Sequence, residues 1–267
     1  MNEDERIVSE NDLEQNGEIT LFEGTPFSGV ADFHNIHGQK GKYHYKNGKL
    51  DGLSAEWYKN GQKSGEGHYK DGKEEGLHTE WYENGQKELE GQYKDGKEEG
   101  LHTSWYENGQ KAGEEHYKNG KGDGLTTIWY KSGKKNVEKY YKNGKEEGLS
   151  TEWGEDGVKI SEIHYKDGEL EGLSTSWRNN EQKSVEEHFK DGEPDGLCTI
   201  WYPNGKKKNV EHYKNGKLDG LWTVWYENGQ KQSEKHYKNG LEDGLVTEWD
   251  EDGKITFQGN FVDGNQR

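Results

Sequence analysis

Two acid–base residue types recur at a spacing that could do chemistry. Glutamate stands at Glu66, Glu90, Glu114, Glu138, Glu162, Glu186 and Glu234, and histidine at His68, His116, His164, His188, His212 and His236. In Glu66/His68 and Glu162/His164 the two lie two residues apart, so on a strand both leave the same face. A carboxylate beside an imidazole can relay a proton or supply metal ligands. The same pair also makes a hydrogen-bonded ladder, with Glu66 beside Leu77 and near Thr79 and His68 beside Glu75. A catalytic centre gains nothing from being copied along an array, whereas a structural bond is what an array repeats. The columns are therefore read as structure, and no catalytic residue, cofactor or metal ion is expected. If the ladder is partly buried, acid should loosen it as carboxylates protonate. Asp71-Gly72 and Asp167-Gly168 are turns without the acidic spacing of a calcium loop. Phosphate-loop, nucleophile-elbow and zinc spacings are missing too.

Aromatics form a second set of columns. Tryptophan recurs at Trp57, Trp81, Trp105, Trp129, Trp153, Trp177, Trp201, Trp225 and Trp249. Such ladders could stack on sugar rings or choline, or could pack a thin sheet. Trp222 breaks the pattern, in a column otherwise filled by Ser, His, Thr, Cys or Val. With Tyr213, Tyr226, Ile128, Ile200 and Val224 it forms the candidate partner-binding set. Cys198 shares the column of Trp222 and is expected to be a small, half-exposed residue.

These columns need elements to hold them. An aromatic anchor stands at Tyr45, Tyr69, Tyr93, Tyr117, Tyr141, Tyr165, Phe189, Tyr213, Tyr237 and Phe261, always 24 residues apart. A fixed period of this size marks a repeat architecture. Each copy carries one Asn-Gly or Asp-Gly pair after the tyrosine (Asn47-Gly48, Asp71-Gly72), and most carry another after the tryptophan (Asn60-Gly61, Asn84-Gly85). Such pairs suit two-residue type I′ turns, which need positive φ at both positions. The segments between have strand length and strand composition. The expected fold is all-β: an open antiparallel meander of hairpins in one twisted sheet, a rod of roughly twenty strands and roughly 95 Å. Alternation places Leu53, Trp57, Glu66, His68, Leu77, Thr79, Trp81, Trp105, Trp129 and Trp225 on an inner, packed face. Tyr58, Lys63 and Tyr69 fall on the other, variable face, taken as the solvent or partner side. Val210 interrupts the glutamate column, which suggests a local bulge or slip.

The expected divisions are four. Residues 1–20 are acidic and carry an irregular hairpin about Asn16-Gly17, with frayed first residues. Residues 21–44 are a degenerate capping repeat, with a turn over Gly24 to Gly29 and an Asn-Gly-like turn at His37-Gly38. Nine full repeats fill 45–260, and a partial repeat over 261–267 caps the end.

The chain has 267 residues, 26% hydrophobic, with a net charge of −17. So little aliphatic material cannot fill a deep core, but fixed aromatic positions argue against disorder. The charge works against nucleic acid and anionic lipid. A single cysteine cannot close an internal disulfide, which suits a reducing compartment. The acidic start lacks an apolar run, so a cytoplasmic location is expected; a removed signal would make the protein an exported one. No segment is long and apolar enough to span a membrane.

The pattern Tyr-x-Asn-Gly-Lys-x-x-Gly-Leu-x-x-x-Trp-Tyr-x-Asn-Gly-Gln-Lys-x-x-Glu, read over residues 21–264, resembles the bacterial variant of the MORN repeat, found in YwqK-type antitoxins. That resemblance implies a chain of β-hairpins with an aromatic-lined groove. It also implies non-catalytic work: scaffolding, attachment to membranes or proteins, and neutralising a toxin. The expected function is a protein-binding scaffold of the antitoxin or immunity kind, docking a basic protein partner. The alternatives are a carbohydrate or cell-envelope binding module using the Trp and Tyr ladders, and a structural rod that self-associates as a homo-oligomer through its groove or edges.

Overall fold

The computed structural model describes residues 6–35 and 37–267. The frayed start expected at Met1 to Glu5 lies outside them. The chain divides into two compact units, residues up to Lys134 and residues from Lys135 onward. Each is an open, all-β meander of hairpins, with strands of up to nine residues such as Lys73–Trp81 in the first and Glu169–Trp177 in the second.

The start of the first unit is a cap. The hairpin about Asn16-Gly17 is present, with β2 (Leu13–Asn16) paired to β3 (Ile19–Phe22). The next turn is at Glu23-Gly24, both with positive φ, so Thr25 and Pro26 are strand (β4) rather than turn. One expectation fails here. β1 (Ile7–Ser9) pairs parallel with β5 (Gly29–His34), so the meander is not antiparallel throughout. The β2–β4 sheet supplies the crossover that a parallel pair needs. Beneath it lie Phe27, 2% exposed and tilted against Phe22 and Tyr45, and Ala31, fully buried. The His37-Gly38 turn copies those of later repeats, with Asn35 N–H donating to Gln39 O at 3.1 Å.

In the repeats, the turn after the tyrosine is type I′ as expected: φ is +50° at Asp71 and +84° at Gly72. The turn after the tryptophan is different. Gly61 has φ +85°, but Asn60 is not in the positive region. Instead Gly61 N–H donates to Tyr58 O at 2.9 Å and Tyr58 N–H to Gln62 O at 2.8 Å. The asparagine is used for its side chain: Oδ1 accepts from Gln62 N–H at 2.9 Å, and Nδ2 donates to Glu83 O of the next repeat at 2.8 Å. The bulge that follows this turn shifts the register, so Trp57 opposes Lys63 rather than Ser64. Lys63 thereby moves to the tryptophan face, correcting its expected place. There it pairs with Glu66 and lies 5.5 Å from the centre of the Trp81 ring.

A second irregularity follows the tyrosine. Tyr69 opposes Glu74, but Gly67 opposes His78, so the later strand carries two extra residues between. Gly76, with φ +84°, lets the backbone make this bulge. Glu66 therefore opposes Thr79, not Leu77, and the middle of this face is a row of alternating threonine and glutamate. Five of the six column histidines, His116, His164, His188, His212 and His236, bond the leucine carbonyl nine residues on, as His116 Nδ1 does to Leu125 O at 2.9 Å. The acid expected beside His68, Glu75, accepts instead from Asp95 N–H at 3.0 Å. Thus the columns hold structure, through other partners than alternation suggests. The Lys–Glu pairs lie near the surface, where each contributes at most about 1 kcal/mol, so acid should loosen the sheet only slightly. Val210 keeps register with Thr199 and Thr223, and no slip occurs there.

The packed-face assignment needs correcting as well. The threonine column is buried, from Thr79 to Thr247, and the tryptophans are half-buried. The leucines at the bulge, including Leu53 and Leu77 but not Leu221, are 37–45% exposed. On the opposite face the variable column is also covered, with Ser54, His102, Thr126, Cys198 and Val246 all buried. In a single-layer sheet, long side chains lie down over the strand centres on both faces.

Candidate functional site

One concavity in the first unit is made by missing side chains. On the tyrosine face, each strand ahead of an Asn-Gly or Asp-Gly turn presents two central positions. In Lys63–Lys70 both are glycine, Gly65 and Gly67. The corresponding positions are Leu89 and Gly91, Val137 and Lys139, or Asn209 and Glu211 elsewhere. Gly65 pairs with Glu56 on one side and Glu80 on the other, and Gly67 with Ser54 and His78. The result is a trench one strand wide. Its walls stand two strand spacings apart, about 9.6 Å. Its volume is about 320 Å³, and Tyr43, Tyr58 and Tyr69 line it with Glu56, Glu80 and Glu88; among the described residues no lysine or arginine does.

The trench has a defined polar interior. Tyr43 OH donates to Glu56 Oε1 at 2.9 Å. His78 Nε2 lies 3.2 Å from Glu80 Oε1. Burial, then Glu56, push the Tyr43 phenol well above its usual range, so it stays protonated and able to donate. Two buried atoms, Ser54 Oγ and His78 Nδ1, have no hydrogen-bond partner among the described residues.

In the second unit, a groove brings together three of the six expected partner-binding residues: Trp222, Val224 and Tyr226. Tyr213 joins through Glu211, which accepts from Tyr213 OH at 2.6 Å and Trp222 Nε1 at 3.1 Å. Ile200 opposes Asn209 at the groove's wall. Ile128 lies in the first unit and takes no part. Trp222 is half-buried and held: Lys235 Nζ sits 5.7 Å from the centre of one ring face, and Tyr237 packs edge-on. Tyr226 OH donates to Trp249 O at 2.8 Å, a bond that Tyr58, Tyr82, Tyr106 and Tyr202 repeat. Asn209 Oδ1 and Ser233 Oγ in this groove are buried without hydrogen-bond partners among the described residues.

Cys198 is buried rather than half-exposed. It lies between Glu187 and Glu211 on the neighbouring strands. Burial and then these carboxylates push its thiol up to about 12, which keeps it protonated and unreactive. Among the described residues, no three His, Cys, Asp or Glu side chains are placed to hold a metal ion, and no helix is long and apolar enough to cross a membrane.

Tyr58 and Tyr69 fall on the expected partner side, but the two glycines that open the trench escaped the sequence reading. The signal was Ser64-Gly65-Glu66-Gly67, where two glycines sit inside a strand with no turn to explain them.

Compared with known proteins, the chain matches the sequence profile described as MORN repeat variant over residues 50–71, 74–95, 98–119, 122–143, 146–167, 194–215, 218–239 and 242–263. The unmatched interval 168–193 contains the one repeat in which Arg178 replaces the tyrosine after tryptophan and Glu181 the turn glycine. Arg178 keeps the tyrosine's bond, donating from Nη2 to Trp201 O at 2.5 Å. No curated protein matches the chain.

Proposed function

Since the chain belongs to the MORN repeat variant family, we propose that it is a docking scaffold for a basic protein partner, seated in the trench over Gly65 and Gly67. The family consists of non-catalytic repeat modules that bind proteins or membranes. The observation that carries the proposal is the lining of the trench: the side chains of three glutamates and three tyrosines with no lysine or arginine among the described residues. A net charge of −17 adds long-range attraction for a positive partner and repels anionic lipid. An antitoxin or immunity role, with a basic toxin as partner, is the specific form that the YwqK-type resemblance suggests.

A fluorescent peptide rich in lysine and arginine, titrated against the full chain at low and high salt, tests this. The expected result is saturable binding that weakens with salt and drops about tenfold or more, some 1.4 kcal/mol, in Glu56→Gln/Glu80→Gln. Absence of binding, or binding indifferent to that double variant, overturns the proposal.

A carbohydrate ligand is the second reading, favoured by the groove of the second unit, where Trp222, Tyr226 and Trp249 adjoin the unpaired Asn209 Oδ1 and Ser233 Oγ. The tryptophan ladder itself offers less, because lysines such as Lys63, Lys87 and Lys111 already cover ring faces of Trp81, Trp105 and Trp129. Glycan binding that Trp222→Ala abolishes would favour it.

A further inference from the structure

We propose that the trench over Gly65 and Gly67 is an arginine subsite: it takes the guanidinium of an arginine side chain presented by the partner. The proposal rests on the docking role above and adds to it a chemical preference for arginine over lysine.

The open floor of the trench is the bare backbone of Gly65. A Cβ at position 67 would lie 2.6 Å from His78 Nδ1, so the His78 ring leans over Gly67 and closes the inner end, a position it can take only because residue 67 is glycine. At position 65 a Cβ would meet nothing within 4 Å. A slot bounded by strands two spacings apart, with Tyr43 and Tyr69 among its lining residues, suits a flat group better than a round one. Guanidinium is planar and stacks on aromatic faces, whereas ammonium is compact and strongly hydrated.

In the tautomer that directs Nε2–H at Glu80, His78 presents a lone pair at Nδ1. The nearest carboxylate oxygen to that nitrogen, Glu74 Oε1 at 3.6 Å, is beyond hydrogen-bond reach. Ser54, 5% exposed, leaves Oγ unpaired at the trench wall. Buried polar atoms without partners are costly, and a ligand that satisfies them gains accordingly. Together with Glu56 and Glu80 the trench presents several acceptors at different bearings. Five N–H donors in a fixed plane answer that arrangement; three on one rotating ammonium answer it less completely.

The test uses N-acetyl-arginine amide and N-acetyl-lysine amide as probes against the full chain. Binding is followed by NMR at the backbone amides of Gly65 and Gly67. The arginine probe should bind at least tenfold more tightly than the lysine probe and move both glycine signals. Gly65→Leu should abolish binding while leaving the sheet folded, because Leu89 occupies the same position in the next repeat. Ser54→Ala should shrink the preference for arginine severalfold while leaving the lysine probe unchanged. Equal affinity for the two probes, or arginine binding that survives Gly65→Leu, overturns the arginine subsite. If a lysine-rich peptide still binds in that case, the docking role stands without it.

Discussion

The strand Lys63–Lys70 in the first unit and the strand Lys207–Lys214 in the second occupy the same place in the same repeat. The first offers Gly65 and Gly67 where the second offers Asn209 and Glu211. In the second unit those two side chains fill the face and bind each other and their neighbours. Glu211 alone accepts from Asn209 Nδ2 at 2.6 Å, Tyr213 OH and Trp222 Nε1. In the first unit the walls remain, with tyrosines, glutamates, Ser54 and His78, but the His78 ring covers only Gly67 and nothing stands over Gly65. Two positions thus decide whether a repeat satisfies its own polar groups or leaves them for a ligand.

The comparison can be broken most severely at Glu211. Glu211→Ala strips three donors of their acceptor on a half-buried face, and urea unfolding should show a loss of about 2–4 kcal/mol. A loss below about 0.5 kcal/mol would mean that the network does not hold the second unit. A smaller effect tests the turns. Gly85, with φ +84°, lies in the first unit, and Glu181 takes the matching place in the second with φ +62°. Gly85→Val should cost about 1–2 kcal/mol, and Glu181→Gly should recover about 1 kcal/mol. Unchanged melting in either variant would show that the conformation is not strained.

The smallest effect concerns charge. Burial and then Glu211 raise the Glu187 carboxyl above its usual value. A raised folded value favours the folded state below the ordinary carboxyl range, and that advantage is lost as pH rises through the folded value. At pH 7 the ionised Glu187 is therefore a liability. Glu187→Gln should stabilise the fold slightly at neutral pH, by under about 0.5 kcal/mol given solvent screening, read as a small rise in melting temperature, and give no gain below about pH 4. A gain that persists in acid would place its cause elsewhere than in charge.

Much of the fold was legible because turn chemistry is local. Asp71-Gly72 names its turn, and the constant spacing of Tyr69 and Tyr93 names the repeat. What strict alternation could not show was interruption. Gly76 sits in a Gly-Leu pair that looks like ordinary strand, yet its positive φ admits two extra residues, re-pairs Glu66 with Thr79 and turns Leu77 outward. The bulge near Ser64 likewise carried Lys63 to the tryptophan face. The site suffered most, since a glycine read as punctuation is not read as space. Trp222, conspicuous as an odd aromatic, proved to be tied down by Glu211 and Lys235.

The bond from Tyr58 to the Trp81 carbonyl, and its copies at Tyr82, Tyr106, Tyr202 and Tyr226, each reach 23 residues along the chain. Adding a repeat to a folded neighbour therefore closes a loop of that one length, at the same entropic cost each time. A nascent chain could thus lock in each hairpin soon after it is synthesised, without waiting for distant sequence. Gene duplications in steps of 24 residues would lengthen such a protein without slowing its folding.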